Sequence, residues 1–278
     1  IHSEMIDAFL FYWESCCLPL FLVSQQFQLV RVIDGTPTTI NHYPVLAQLL
    51  LDTWGNQQYA QYCAGVILTS RHVLSAAHCF QFSSFNGRKL VYTEPKYWRV
   101  RVGSSYRSRG GVIHKVKTIV PHYGFHNYYY TDDIAVLVVA RPFALGGNIR
   151  QATLPKMGAE INTNSVCVLV GWGATDALGP QPEQLQQTSM FTVDQQECFL
   201  RYNMVKAVIT KSMLCAGKLD IGGADACYGD SGGPLIYKGF VVGLVSFGRG
   251  CGDSYYPGVY TKVSHYSDWI LKMVATYK

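Results

Sequence analysis

A chain of 278 residues, 49% hydrophobic and 15% charged, is long enough to bury one large core or two smaller ones, which excludes a disordered or fibrous protein. The formal net charge of +5 comes from 23 Lys and Arg against 18 Asp and Glu, with no long block of one sign, and this argues against nucleic-acid binding. Nine cysteines without a C-x-x-C pair argue against zinc ribbons and thioredoxin chemistry and for bridges formed in an oxidising compartment, hence for secretion.

In chain order, residues 8–13 and 16–23 form two apolar patches separated by Glu14, where the core of a signal peptide is expected. Residues 1–31 are read as leader and activation peptide. No stretch of 18 apolar residues predicts a membrane span. From about residue 40, short β-branched runs divided by turn residues predict strands at 45–51, 64–68, 98–102, 134–139, 166–170 and 240–245, the pattern of an all-β sandwich or barrel pair. The basic run Arg99, Arg101, Arg107, Arg109, Lys115 and Lys117 alternates with Val and Ile and reads as a solvated strand face. The connection 80–98 is long for a β protein. His122 and His126 have an i, i+4 spacing, but Pro121 and Gly124 oppose a helix there, so no metal pair is expected. Gly146, Gly147 and Asn148 mark a crossing between two halves, about 32–147 and 148–262. Helical periodicity is clear only at the end, where Tyr266, Trp269, Ile270, Met273, Val274 and Tyr277 predict one helix at about 264–277.

The string Gly-Asp-Ser-Gly-Gly-Pro at 229–234 sets Ser231 among glycines, which let successive N–H groups converge on one spot and hold an oxyanion. Taken alone, it is equally a glycine-rich turn. A serine hydroxyl becomes a nucleophile only when a histidine removes its proton and a carboxylate orients that histidine. His78 closes an apolar strand inside 74–79, and Asp132 and Asp133 lead into the apolar run 134–139, which can bury a carboxylate. An α/β-hydrolase elbow would need the order serine, acid, histidine, with His265 the only histidine after Ser231. The chain order and the lack of alternating strands and helices argue against it.

LSAAHC at 74–79, DDIAVL at 132–137, GWG at 171–173 and GDSGGP at 229–234, in that order, resemble the chymotrypsin and trypsin family across residues 31 to about 275. The resemblance implies two packed six-stranded antiparallel β-barrels with a C-terminal α-helix, in a protease domain spanning 32–278. It implies His78 as general base and acid, Asp133 as its orienting partner and Ser231 as nucleophile. The N–H groups of Gly229 and Ser231 would form the oxyanion hole, and Asp132 would be an exposed neighbour. Asp225, six residues before Ser231, with Gly248 and Gly258 as walls, matches the trypsin pocket for Arg or Lys. Ser246, Phe247, Tyr228 and Tyr130 are expected beside the substrate, Phe247 where the family usually has tryptophan and Tyr228 where trypsins often have glutamine.

Arg31, Val32, Ile33, Asp34 and Gly35 resemble the family's activation site, where cleavage after Arg31 frees the Val32 amino group to pair with Asp230. Asp34 and Val32 depart from the commoner glycine and isoleucine. The implied bridges join Cys63 to Cys79, Cys198 to Cys215 and Cys227 to Cys251. Cys167 remains a buried free thiol, because its usual partner position reads Tyr237. Protein and peptide substrates, protein inhibitors, a monomer and no cofactor follow from the same resemblance, whereas no metal is expected because no Asp or Glu lies between Arg99 and Thr131, which leaves no calcium loop. VGSS, TTINHYP and PGVYTKVSHYSDWI are most similar to insect digestive trypsins, which implies release into the gut lumen. A catalytically dead homologue acting as a binding module would lack a member of the triad, and none is missing here.

Overall fold

The computed structural model describes residues 34–83, 90–175 and 179–278, so the leader expected at 1–31 lies outside the described residues. The first half runs β1 (Thr36–Pro37), β2 (Leu46–Leu51), β3 (Ala60–Ile67), β4 (His72–Ser75), β5 (Gln81–Ser83), β6 (Leu90–Tyr92), β7 (Trp98–Val102), β8 (Val112–Pro121) and β9 (Ala135–Val139). The second runs β10 (Val166–Gly171), β11 (Gln186–Val193), α1 (Gln195–Asn203), β12 (Met213–Gly217), β13 (Pro234–Tyr237), β14 (Phe240–Phe247), β15 (Gly258–Lys262) and α2 (Ser267–Thr276). Strands β2, β3, β4, β9, β8 and β7 pair in that order around one closed antiparallel barrel. Strands β11, β10, β13, β14, β15 and β12 form the second, which the β11–β12 pair closes. Closure leaves neither barrel an open edge.

Each barrel is filled by its own inward residues, Leu49, Ile67, Trp98, Val100 and Leu137 in the first and Leu169, Met190, Leu235 and Tyr260 in the second. A third cluster joins them: Val66, Leu74 and Val136 from the first barrel meet Leu244 from the second and Tyr266 and Ile270 from the C-terminal segment. This apolar seam fixes one barrel against the other beneath the cleft described below. β1 is stitched to the second barrel, Thr36 opposite Gln187 and Pro37 opposite Gln186.

Three local readings need correction. The terminal helix is shorter than 264–277, because a 3-10 turn at Val263–His265 precedes the α-helix Ser267–Thr276. A second helix, α1, was not expected; Asp194 caps it by accepting the N–H groups of Gln196 and Glu197 at 2.8 and 3.1 Å. The basic run is not solvated throughout, because Arg101 is only 8% exposed.

The loop after β7 folds over Arg101, whose guanidinium donates to Gln48 Oε1 at 3.1 Å and to the carbonyls of Arg107 and Ser108 at 2.5 and 3.2 Å. A serine- and glycine-rich loop has little apolar surface of its own, so these bonds hold it down. Arg101→Met is expected to destabilise the protein by about 2–4 kcal/mol, seen as a lower Tm. EDTA should leave the wild-type Tm nearly unchanged, since a guanidinium ties these carbonyls.

Candidate active site

β4 ends at Ser75, and a 3-10 turn at Ala77–Phe80 turns His78 toward the seam between the barrels. The Cys63–Cys79 disulfide ties that turn to β3. The His78 main-chain N–H donates to Asp133 Oδ1 at 2.8 Å, and the ring Nδ1 lies 2.7 Å from Asp133 Oδ2. Asp133 is buried at the entry to β9, and Oδ2 also accepts the Ser246 hydroxyl at 2.6 Å. The Thr261 hydroxyl holds the Asp133 carbonyl at 2.7 Å. So anchored, the carboxylate keeps the Nδ1 proton on its side and leaves Nε2 available to accept one.

Ser246 was expected beside the substrate. It does line the cleft, but its hydroxyl is committed to Asp133. Asp132 is not an exposed neighbour: it is half-buried, and its Oδ1 accepts the Tyr266 hydroxyl at 2.7 Å. The cause is its left-handed backbone, φ +53°, which Asp tolerates and which sends the two adjacent carboxylates to different partners.

His78 and Ser231 face one cleft of about 300 Å³, whose other walls include Tyr130, Asp225, Tyr228 and Phe247. The turn bearing Ser231 requires glycine at Gly232, with φ +75°, where a Cβ would collide with the Ala64 carbonyl and the Ala76 N–H. The Ser231 carbonyl accepts Ala64 N–H at 2.8 Å, which docks the turn on β3. Ala174 N–H donates to the Tyr228 carbonyl at 2.8 Å. Because a trans peptide points its C=O and N–H in opposite directions, Gly229 N–H is turned away from Ala174.

Asp230 is 1% exposed and accepts the N–H groups of Gly173 and Cys227 at 2.7 and 3.1 Å. Its carboxylate fills the space where side chains at Gly171 and Gly173 would stand, which explains both glycines around Trp172. Burial pushes the Asp230 pKa up to about 7 despite those two donors. Arg31 and Val32 lie outside the described residues.

Asp225 sits at the floor of the cleft, held by the N–H groups of Ala226 and Gly252 at 2.8 Å each. Burial raises its pKa to about 6. A Cβ at Gly258 would stand 2.7 Å from Asp225 Oδ1 and block the way in, whereas one at Gly248 would meet only the Gly250 carbonyl at 3.5 Å. The result is a slot ending in a carboxylate, suited to one long cationic side chain. Tyr130 packs edge-on to His78 at 5.6 Å and against Phe247 at 5.4 Å, forming an aromatic wall above it. Tyr228 is largely exposed at the rim.

His122 and His126 do not converge: His122 packs against Tyr266 and Trp269, while His126 stacks on Tyr129. Bridges also join Cys198 to Cys215 and Cys227 to Cys251, and burial pushes the free Cys167 thiol up to about 11, where it is unreactive.

Two closed barrels, with a histidine paired to a buried carboxylate and facing, together with a serine, one cleft that ends in an acidic slot, have the construction of a serine endopeptidase. The trypsin family model matches residues 32–270. "Trypsin, alkaline A" of Manduca sexta is 38% identical over 240 residues, covering 86% of this chain and 90% of the relative. Trypsin CFT-1 of Choristoneura fumiferana is 38% identical with the same coverage, and a trypsin of Phaedon cochleariae is 39% identical over 241 residues, 87% of each chain. The chain belongs to the trypsin family of serine endopeptidases, hydrolases that act on protein substrates, and resembles insect trypsins. Among the described residues, no helix is long and apolar enough to cross a membrane.

Proposed function

We propose that this chain is a secreted digestive endopeptidase, monomeric and activated from a zymogen, that hydrolyses peptide bonds after arginine or lysine. The observation that carries this reading is Asp225 at the floor of the cleft that His78 and Ser231 face. A buried carboxylate is costly until a cation enters, so the slot selects a guanidinium or ammonium and holds the next peptide bond at Ser231. His78 Nε2 takes the Ser231 proton as Oγ attacks the carbonyl carbon. The negative oxygen so formed is received by the N–H groups of Gly229 and Ser231, and His78 returns the proton to the leaving amine. Water then repeats the sequence on the acyl-enzyme. The test is the protein beginning at Val32 on four matched peptide amides with Arg, Lys, Phe or Ala before the bond. Turnover of Phe or Ala above Arg and Lys would refute the assigned specificity.

Activation follows from the same arrangement. Cleavage after Arg31 would free the Val32 ammonium to pair with the buried Asp230, next to the oxyanion donors. Without that partner the carboxylate is disfavoured in its apolar site and the turn at Gly229 loosens. Because losing one such donor costs about a hundred- to a thousandfold in rate, an Arg31→Gln precursor treated with trypsin should stay nearly inactive while wild type switches on. N-terminal sequencing of the active form should begin at Val32; a fully active Arg31→Gln precursor with its leader intact would refute the mechanism.

A further inference from the structure

The turn that carries Ser231 is braced from β3 by a residue that belongs to none of the sequence motifs. Gln61 is 7% exposed, and its Nε2 donates to the Gly229 carbonyl at 2.7 Å and to the Cys63 carbonyl at 3.3 Å. Its Oε1 is buried without a hydrogen-bond partner among the described residues. Leaving a buried acceptor unpaired is unfavourable, so what keeps the amide here is the work of its N–H group. Gly229 has φ +100° and no side chain to hold it in place. The carbonyls on either side of its α-carbon are both tied: that of Tyr228 to Ala174 N–H at 2.8 Å, and its own to Gln61. The first bond orients the peptide plane that contains Gly229 N–H, and the second stops the next plane from swinging and taking the first with it.

We propose that Gln61 is a positioning residue for the oxyanion site, holding Gly229 so that its N–H stays aimed at the oxygen that becomes negative. The inference rests on Ser231 being the nucleophile. Gln61 is not among the residues that line the cleft. Its effect should therefore appear where charge develops in the transition state, and not in the slot that binds the arginine side chain.

The test compares wild type with Gln61→Met, which keeps the length of the side chain without the donor, and Gln61→Leu, which changes its shape as well. In both, kcat on an arginyl amide should fall about tenfold, the usual scale for one hydrogen bond, with KM unchanged. An arginine peptide aldehyde, whose carbon bonds Ser231 Oγ and whose oxygen takes the oxyanion's place, should bind about tenfold more weakly. Benzamidine, which needs only Asp225, should bind as in wild type. Wild-type kcat in both variants would overturn the proposal. So would equal weakening of benzamidine and aldehyde, which marks a cleft disturbed as a whole. A wild-type control beginning at Val32 that shows no turnover would refute the Ser231 reading itself and with it this one, so the two failures are told apart.

Discussion

Ser231→Ala is expected to lower amide turnover by on the order of a millionfold while leaving the fold intact, the scale found when a serine protease loses its nucleophile. The fold should survive because the turn is held through main-chain groups: the Ser231 carbonyl accepts Ala64 N–H, and Gly232 N–H donates to the Val245 carbonyl. His78→Ala should cost nearly as much, and the double variant little more, since hydroxyl and imidazole act as one unit. Additive losses, or turnover near wild type in either single variant with a normal melting curve, would remove these residues from the proposed mechanism.

Asp225→Ser is expected to reduce kcat/KM for arginyl substrates by about a thousandfold or more, because a desolvated guanidinium loses its counter-charge. Uncharged substrates should be little affected. The same carboxylate predicts a pH signature. Its folded pKa of about 6 lies above the ordinary 3.8, so the ionised form is the less favoured one in the empty slot. Folding therefore loses stability through Asp225 as pH rises from about 4 to about 6, and the full penalty is present above that range. A bound cation reverses it. Benzamidine should raise Tm more at pH 8 than at pH 5, and KM for arginyl substrates should rise as pH falls through about 6. A ligand-induced Tm shift independent of pH, or cleavage after arginine retained in the Ser variant, would show that another group reads the substrate.

Strands that alternate or run apolar were legible because each is a short, self-contained signal between turns, as at β2, β7 and β14. α1 was not, because Gln195–Asn203 lacks an apolar stripe. Its signature lay in the capping pair Asp194 and Glu197, an acceptor at the cap with a carboxylate three residues on. The burial of Arg101 was not legible, because alternation along β7 assigns it outward and only the tertiary fold brings the following loop over that face. At the cleft, the assigned residues sit in strings whose chemistry is visible in one dimension. The bracing around them is not. Ser246, Thr261 and Gln61 reach Asp133 and Gly229 across 113, 128 and 168 positions, and no local spacing encodes such contacts.

The pairing of β1 with β11 sets a leash. Thr36 is fixed opposite Gln187, and Val32 stands four residues earlier, so the chain lets it travel no more than about 14 Å from that anchor. In the proposed activation, the amino group released by cleavage would search a small volume beside the second barrel, at an effective concentration in the millimolar range or above. Capture by Asp230 then becomes an event within one molecule, independent of how dilute the enzyme is.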